Sequence, residues 1–182
     1  MKHRYRYLLL APLLSALLPI QVSANMESIS KIGAEIRAYR PSKGAGVLYG
    51  WRYVHYRSDS FTIGGAGYTG QLNGTSAGAF SYGGLTAVYA GKLGTNTRIE
   101  LGLLAGGGGG YTNDGSEAGG VLLEPDFAFG FMLGKTVELG LNAGYIYMPN
   151  STTFSGLCAG VRMEFLIGEE SVPPSAPKPP IP

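Results

Sequence analysis

Few residues in this sequence combine the types and the spacing that catalysis needs. His55 is followed closely by Ser58, Asp59 and Ser60, so a base, two hydroxyls and a carboxylate lie within one short segment. This combination suggests a hydrolase or acyltransferase centre, because a histidine oriented by a carboxylate can activate a hydroxyl. The alternative is that His55 is an ordinary interfacial side chain near a strand end. We assign no catalytic residue. His55 is a weak candidate for the catalytic base if the protein is an enzyme. We favour the interpretation that it is not an enzyme, and the enzymatic interpretation is kept as an alternative.

The residues present disfavour phosphate-loop and zinc chemistry. The glycine run 106–110 is not followed by the Gly-Lys-Ser/Thr of a phosphate-binding loop. Beyond the first 24 residues the chain has one cysteine, Cys158, and one histidine, His55, which cannot supply a Cys/His zinc site or an internal disulfide. We therefore expect no metal ion and no cofactor.

The first 24 residues have the pattern of an export signal. A basic head with Lys2, Arg4 and Arg6 precedes an apolar run over 8–18, and the segment ends in small residues at 22–24. The run is well short of the roughly 20 apolar residues that a membrane-spanning helix needs. We predict a cleaved signal peptide over 1–24 and an exported protein.

Charge and composition exclude further classes. Without the three cations of the head, the 14 Lys and Arg fall to 11 against 12 Asp and Glu. No basic surplus remains for binding nucleic acid, so we expect no such partner. The 30 glycines and only 14% charged residues also fit poorly with an ordinary mixed soluble domain.

The clearest structural signal is an alternation of apolar with small or charged residues at period two. This pattern places the two sets on opposite faces of a strand. It recurs along the chain between clusters of turn-forming residues and predicts eight strands. The predicted fold is all-β: an eight-stranded antiparallel up-and-down transmembrane β-barrel. In the last strand, the apolar set is Leu157, Ala159, Val161, Met163 and Phe165.

The face opposite the apolar set is rich in glycine and carries both signs of charge. Glycine suits the inside of a narrow barrel, and buried charges need partners. We therefore predict a paired ladder of charges that fills the lumen; the alternative is a solvated surface. The ladder residues are Glu35, Arg37, Arg52, Arg98, Glu100, Glu124, Asp126, Glu138, Arg162 and Glu164.

Two local features carry smaller expectations. Pro125 lies within a predicted strand and cannot donate to the ladder, so we expect a bulge there. Outward aromatic residues could form interfacial girdles at the membrane surfaces. These aromatics are Trp51, Tyr53, Tyr89, Tyr145 and Tyr147.

Taken together, the chain resembles the small outer-membrane β-barrels, nearest in layout to the membrane domain of the outer-membrane protein A family. The resemblance rests on the export signal, the eight amphipathic strands, the last strand ending on Phe165 and the proline-rich stretch after it. It implies a barrel over 25–167, a periplasmic Pro-rich tail over 168–182 and a location in the outer membrane of Gram-negative bacteria. It also implies that the apolar set of the last strand is the assembly signal.

The expected role is structural or surface-interacting in the cell envelope, not that of a wide porin, because an eight-stranded barrel has little space inside. The expected partners are outer-membrane lipid, lipopolysaccharide and the outer-membrane assembly machinery; a surface or periplasmic protein partner stays open. One alternative is an outer-membrane enzyme that modifies lipid A, as an acyltransferase or deacylase. A second is a soluble exported β-barrel that binds an apolar ligand.

Overall fold

The computed structural model describes residues 30–167 except positions 43, 59, 75–76, 114 and 116. In this part of the chain, eight strands follow one another and close into one antiparallel barrel, which confirms the predicted all-β architecture. The predicted signal peptide, 1–24, and Pro-rich tail, 168–182, lie outside the described residues. The strands are β1 (Ser30–Pro41), β2 (Ala45–Ser58), β3 (Phe61–Asn73), β4 (Gly78–Lys92), β5 (Thr97–Thr112), β6 (Glu117–Leu133), β7 (Val137–Ile146) and β8 (Gly156–Ile167).

Pairing of the first strand with the last closes the sheet. The β1–β8 ladder runs from Ser30 opposite Ile167 to Pro41 opposite Gly156. Closure leaves the sheet without an open edge, so no strand presents a continuous row of unpaired backbone groups. The described residues include no helix that is long and apolar enough to span a membrane.

The connections define two rims. One rim, here called the turn rim, carries the start of β1, the end of β8 and the connections 59–60, 93–96 and 134–136. The opposite rim, here called the loop rim, carries 42–44, 74–77, 113–116 and the longer segment 147–155.

Alternation along each strand separates the inside of the barrel from the outside. In β1, Lys31, Glu35 and Arg37 are buried, whereas Ile32 and Ile36 are 43% and 51% exposed. Toward the turn rim and in the middle of β1, charged side chains therefore point inward and the isoleucines outward. This distribution is the reverse of that in a water-soluble domain.

Pro125 does not cause the bulge that we expected in β6. The pairing of β6 with β7 keeps one register across this position as far as a bridge between Leu123 and Tyr147. Proline has no N–H, so the pairing of β6 with β7 lacks one backbone hydrogen bond at this position but keeps its register. The register shift lies instead in β2, between Tyr56 and Ser58.

Inward glycines lie across the ladder from large inward side chains. A Cβ on Gly140 would come within 2.7 Å of Arg162 Nε, and a Cβ on Gly50 within 2.1 Å of Tyr68 Cδ1. The narrow interior therefore accommodates its largest side chains by leaving the opposite position empty. The register pairs of this kind are Gly33–Glu164, Arg37–Gly160, Gly50–Tyr68, Tyr82–Gly108, Gly102–Asp126 and Gly140–Arg162.

Candidate functional site

The lumen consists of an ionic layer and an aromatic layer. The ionic layer fills the half toward the turn rim and the middle of the barrel. The aromatic layer fills the loop-rim half, so the lumen is polar over only part of its length, contrary to the expectation of a polar interior throughout. The ionic layer contains Lys31, Glu35, Arg37, Arg52, Arg98, Glu100, Glu124, Asp126, Glu138, Arg162 and Glu164. The aromatic layer contains Tyr39, Leu48, Tyr68, Leu72, Phe80, Tyr82, Leu104, Leu122, Ile146, Met148 and Phe154.

Glu100 of β5 is the centre of the ionic layer. Its Oε2 accepts hydrogen bonds from Arg52 Nη2 at 2.8 Å and from Arg162 Nη2 at 2.5 Å. Its Oε1 lies 3.6 Å from Arg98 Nε. Since Arg52 and Arg162 come from β2 and β8, these pairs link strands across the lumen. These charges are buried, and each is stabilised by its oppositely charged partners. Removal of one of them would therefore leave an uncompensated charge in the lumen.

Three carboxylates of the ionic layer surround the ammonium of Lys31. Oxygens of Glu100, Glu138 and Glu164 lie within 4.8 Å of one another, a spacing that could hold a metal ion. Lys31 Nζ is 2.5 Å from Glu138 Oε2, 3.4 Å from Glu100 Oε1 and 3.5 Å from Glu164 Oε2. The ammonium takes the place that a cation would need, so the cluster is a salt-bridge network.

Arg37 joins the ionic layer to the aromatic layer. It donates to Glu35 and Glu124, and its Nη2 donates to the Tyr68 hydroxyl at 2.7 Å. The Tyr68 hydroxyl in turn donates to Glu35 Oε2 at 2.8 Å. Asn142 Nδ2 also donates to Glu35. Glu35 thus accepts hydrogen bonds from three side chains, which offsets the unfavourable burial of its charge.

The aromatic layer is a stack of rings that ends under the loop 147–155. Tyr68 stacks on Tyr82 with ring centroids 4.9 Å apart, and Tyr82 stacks on Phe80 at 5.3 Å. Phe80 stacks on Phe154 at 4.9 Å with the rings 6° from parallel. The hydroxyl of Tyr39 donates to the Phe154 carbonyl, so this loop is held inside the barrel mouth. The loop therefore caps the lumen.

Little space is left between the layers. A cavity lined by Arg37, Arg52, Tyr68 and Asp126 measures about 10 Å³. A space of this size holds at most about one water molecule. The described part of the lumen therefore offers no continuous passage at this level.

The structure places all ten predicted ladder residues on inward-facing positions. Nine of them form ion pairs. Asp126 has no ion-pair partner among the described residues, and its carboxylate lies against Gly102. Lys31 was missed, although its position two residues before Gly33 and four before Glu35 gives it the same inward parity.

His55 lies near the turn rim, on the outward face of β2. Its Nδ1 is 2.9 Å from Ser30 Oγ, and Ser30 Oγ is 3.2 Å from the Tyr53 hydroxyl. Among the described residues, no carboxylate hydrogen-bonds to His55, although Asp59 and the side chain of Ser58 are outside that set. This arrangement has a hydroxyl and an imidazole but lacks the orienting acid of a catalytic triad within the described part of the chain.

The predicted assembly residues all face outward in β8. Leu157 and Val161 are 64% and 55% exposed, and Ala159, Met163 and Phe165 are exposed too. Of the aromatics considered for girdles, Trp51 lies at mid-barrel, opposite Ala34 and Gly67, while Tyr145 and Tyr147 lie near the loop rim.

Comparison with solved structures identifies the fold. The barrel superimposes on the N-terminal β-barrel domain of Pseudomonas aeruginosa OprF with a TM-score of 0.57 and 14% identity, covering 78% of this chain and 98% of that one. It superimposes on Neisserial surface protein A (NspA) with a TM-score of 0.61 and 11% identity, covering 81% and 100%. The fold is that of the small outer-membrane β-barrels.

A third structure shares this barrel. Ail, the attachment invasion locus protein of Yersinia pestis, matches with a TM-score of 0.52 and 13% identity over 78% of this chain and 100% of that one. No family model and no curated protein sequence matches the chain. The likeness therefore concerns architecture, and it assigns the barrel no activity.

Proposed function

We propose that the protein is a β-barrel of the bacterial outer membrane with a structural or surface-interaction role in the cell envelope. The observation that carries this proposal is the inverted distribution of side chains. Large apolar residues such as Leu85, Leu141 and Val121 are 77%, 62% and 62% exposed, while the charged residues of the ionic layer lie inside the lumen, most of them buried. In a membrane this arrangement places hydrocarbon against lipid and pairs the charges inside.

The soluble alternative requires this apolar outer surface to face water. Exposed apolar residues occur on every strand of the barrel, including Ile36, Trp51, Ile63, Leu103, Phe129 and Met163. Soluble monomers rarely expose continuous apolar patches beyond a few hundred Å². Charges and stacked rings occupy the interior formed by the described residues, which leaves no room there for an apolar ligand.

Fractionation and gel mobility test the location. We expect the mature protein in the outer-membrane fraction, soluble only with detergent, and migrating faster on gels before heating than after. The opposite outcome is a monodisperse protein in buffer without detergent, recovered from the periplasm, and it would reject the membrane assignment.

A closed lumen argues against a wide porin. The salt-bridge network fills one half, the ring stack fills the other, and the loop 147–155 covers the mouth. In planar lipid bilayers we expect no stable conductance steps from the purified barrel. A steady ohmic conductance typical of a water-filled channel would contradict the closed lumen while leaving the membrane location intact.

We further infer that the outward apolar residues of β8 serve as the signal for the outer-membrane assembly machinery. Phe165 is near the end of β8 and is 45% exposed, and Phe129 on β6 is a matched outward phenylalanine at 39%. In cells, Phe165→Ala should lower the yield of heat-modifiable barrel while Phe129→Ala does not. Both variants should refold equally in detergent, because neither ring packs inside. Equal yields of the two variants in cells would reject the role of Phe165 in the assembly signal.

A further inference from the structure

A trough runs across the outer face of β1, β8 and β7 near the loop rim. Three outward alanines, Ala38, Ala159 and Ala143, stand in register on these adjacent strands and form its floor. The groove has a volume of about 820 Å³. Ligand pockets typically have volumes of about 300–1,000 Å³.

Larger side chains form ridges on both sides of the alanine row. Toward the loop rim lie Leu157 and Tyr145, which face each other across the β7–β8 ladder. Toward the turn rim lie Val161 and Leu141, again in register. The floor and both ridges are apolar, so the trough matches the shape and chemistry of a hydrocarbon chain laid across the strands.

Arg40 stands at the loop-rim edge of the trough. It lies opposite Leu157 in the β1–β8 ladder, lines the groove and is exposed. Arg40 has no ion-pair partner within the described part of the chain, whereas all five lumen cations are paired. A guanidinium at this edge complements a phosphate at the level of lipid headgroups.

The trough also contains a gap in the backbone ladder. Leu123 and Tyr147 exchange both backbone hydrogen bonds, at 2.9 and 2.8 Å. The next such rung of an antiparallel ladder would join Pro125 and Tyr145, both of which line the trough. Proline has no N–H, so the Tyr145 carbonyl lacks its ladder donor. In hydrocarbon, an acceptor without a donor is strongly unfavourable.

The geometry points to a binding site for one lipid: a phosphorylated, N-acylated glycolipid of the lipid A class. One acyl chain lies in the alanine trough, an amide or hydroxyl near the chain's attachment donates to the Tyr145 carbonyl, and Arg40 binds the phosphate. A glycerophospholipid offers the phosphate and the chain but attaches its chains through esters, which cannot donate. The ladder gap therefore favours the glycolipid.

This inference rests on the proposed outer-membrane location and on the predicted periplasmic tail after β8, which together put the loop rim at the leaflet that holds such glycolipids. The outer-membrane location and the glycolipid site can be rejected by different results. A protein that fractionates as soluble rejects the location and with it this site. A heat-modifiable outer-membrane barrel that retains no glycolipid rejects this site alone.

The test is native mass spectrometry of the mature barrel, purified in detergent and titrated with hexa-acylated diphosphoryl lipid A. We expect one retained lipid A per barrel. Phosphatidylglycerol should bind about tenfold more weakly, because its ester-linked chains carry no donor where they are attached and its only donors are the hydroxyls of the headgroup, beyond the phosphate. Ala159→Phe, which fills the trough floor, and Arg40→Gln, which removes the charge, should each weaken lipid A retention about tenfold.

Matched controls separate this site from general lipid coating. Ala105→Phe places the same ring on an outward alanine of β5, across the barrel, and Lys92→Gln removes an exposed cation of β4 near the turn rim. Both controls should retain lipid A like the parent protein. Equal retention by Ala159→Phe and Ala105→Phe would overturn the site.

Pro125→Val tests the ladder gap directly. Valine supplies the missing N–H at nearly the same size, so the variant should be at least as stable as the parent while its preference for lipid A over phosphatidylglycerol falls severalfold. An unchanged preference would overturn the assigned role of the Tyr145 carbonyl. A dimer without bound lipid that Ala159→Phe dissociates would overturn the lipid site in favour of a second copy of the chain.

Discussion

The guanidinium of Arg37 lies over the ring of Tyr68, with its Cζ 4.1 Å from the ring centroid. One face of Arg37 thus meets the aromatic layer, while its nitrogens bind Glu35 and Glu124 in the ionic layer. Because the contact combines a cation–π interaction with buried ion pairs, it couples the packing of the two layers. Loss of this one side chain should therefore disturb both.

Arg37→Met is expected to lower the free energy of unfolding by about 3–5 kcal/mol, since it leaves two buried carboxylates without their main partner. Urea titration in detergent micelles, followed by the fluorescence of the single tryptophan, Trp51, measures the change. Lys92→Met, at an exposed position, is the control and should stay within about 0.5 kcal/mol. A loss below about 1 kcal/mol for Arg37→Met would show that the carboxylates find other partners.

Arg162→Leu tests the part of the network around Glu100. Arg162 lies within ion-pair distance of Glu100, Glu138 and Glu164, so its removal leaves three carboxylates sharing fewer cations. We expect a loss of about 3 kcal/mol or more in the same titration. Leu139→Ile, on the outward face of the neighbouring strand, should change stability by less than about 1.5 kcal/mol. Equal and small effects would count against a paired interior.

Gly140→Val tests the empty positions opposite large side chains. A Cβ on Gly140 meets Arg162 Nε at 2.7 Å, so the added atoms should displace the arginine and destabilise the barrel by about 1–3 kcal/mol. Gly67→Ala is the outward control, because its Cβ would have as nearest neighbour Trp51 Nε1 at 3.5 Å. That variant should be neutral or slightly stabilising. Similar losses for both would show that any side chain in place of a barrel glycine is unfavourable, on either face, and would count against a specific effect of lumen packing.

The sequence predicts the barrel well where the two faces differ in character. In β8, each outward position carries a hydrophobic residue and inward positions carry Arg162 and Glu164, so parity alone assigns the faces. In β3 and β4 the signal fails, because glycines such as Gly65, Gly67 and Gly83 occupy outward positions and remove the contrast. The inward aromatics on those strands were consequently not identified.

The aromatic layer also depends on a contact that no strand pattern encodes. Phe154 follows the turn residues at 149–151 and lies outside the regular strands. Its ring nevertheless stacks on Phe80 of β4, which is distant in sequence. Lys31, by contrast, had a readable signal, since it shares the parity of Glu35 and Arg37. The prediction does not include it because the regular alternation begins at Ile32, one residue after it.

Phe154→Ala tests whether the ring stack holds the loop 147–155 in the barrel mouth. Phe154 is 1% exposed, so truncation should remove its stacking on Phe80 and lower stability by about 3–5 kcal/mol. It should also release the loop, and proteinase K added to intact cells or reconstituted vesicles should then cleave within 147–155. Thr152→Ala, at an exposed position of the same loop, should remain uncleaved under the same conditions.

The hydrogen bonds of Ser155 provide the competing anchor. Ser155 Oγ accepts from Met148 N at 3.0 Å and lies 3.1 Å from the Ser151 carbonyl, so it could hold the loop without the ring. If Phe154→Ala stays resistant to protease and Ser155→Ala does not, these polar contacts retain the loop. The hydrogen bonds of the Ser155 hydroxyl survive truncation of the ring, whereas the stacking does not. The two variants together therefore separate the contributions, and we expect the ring to dominate.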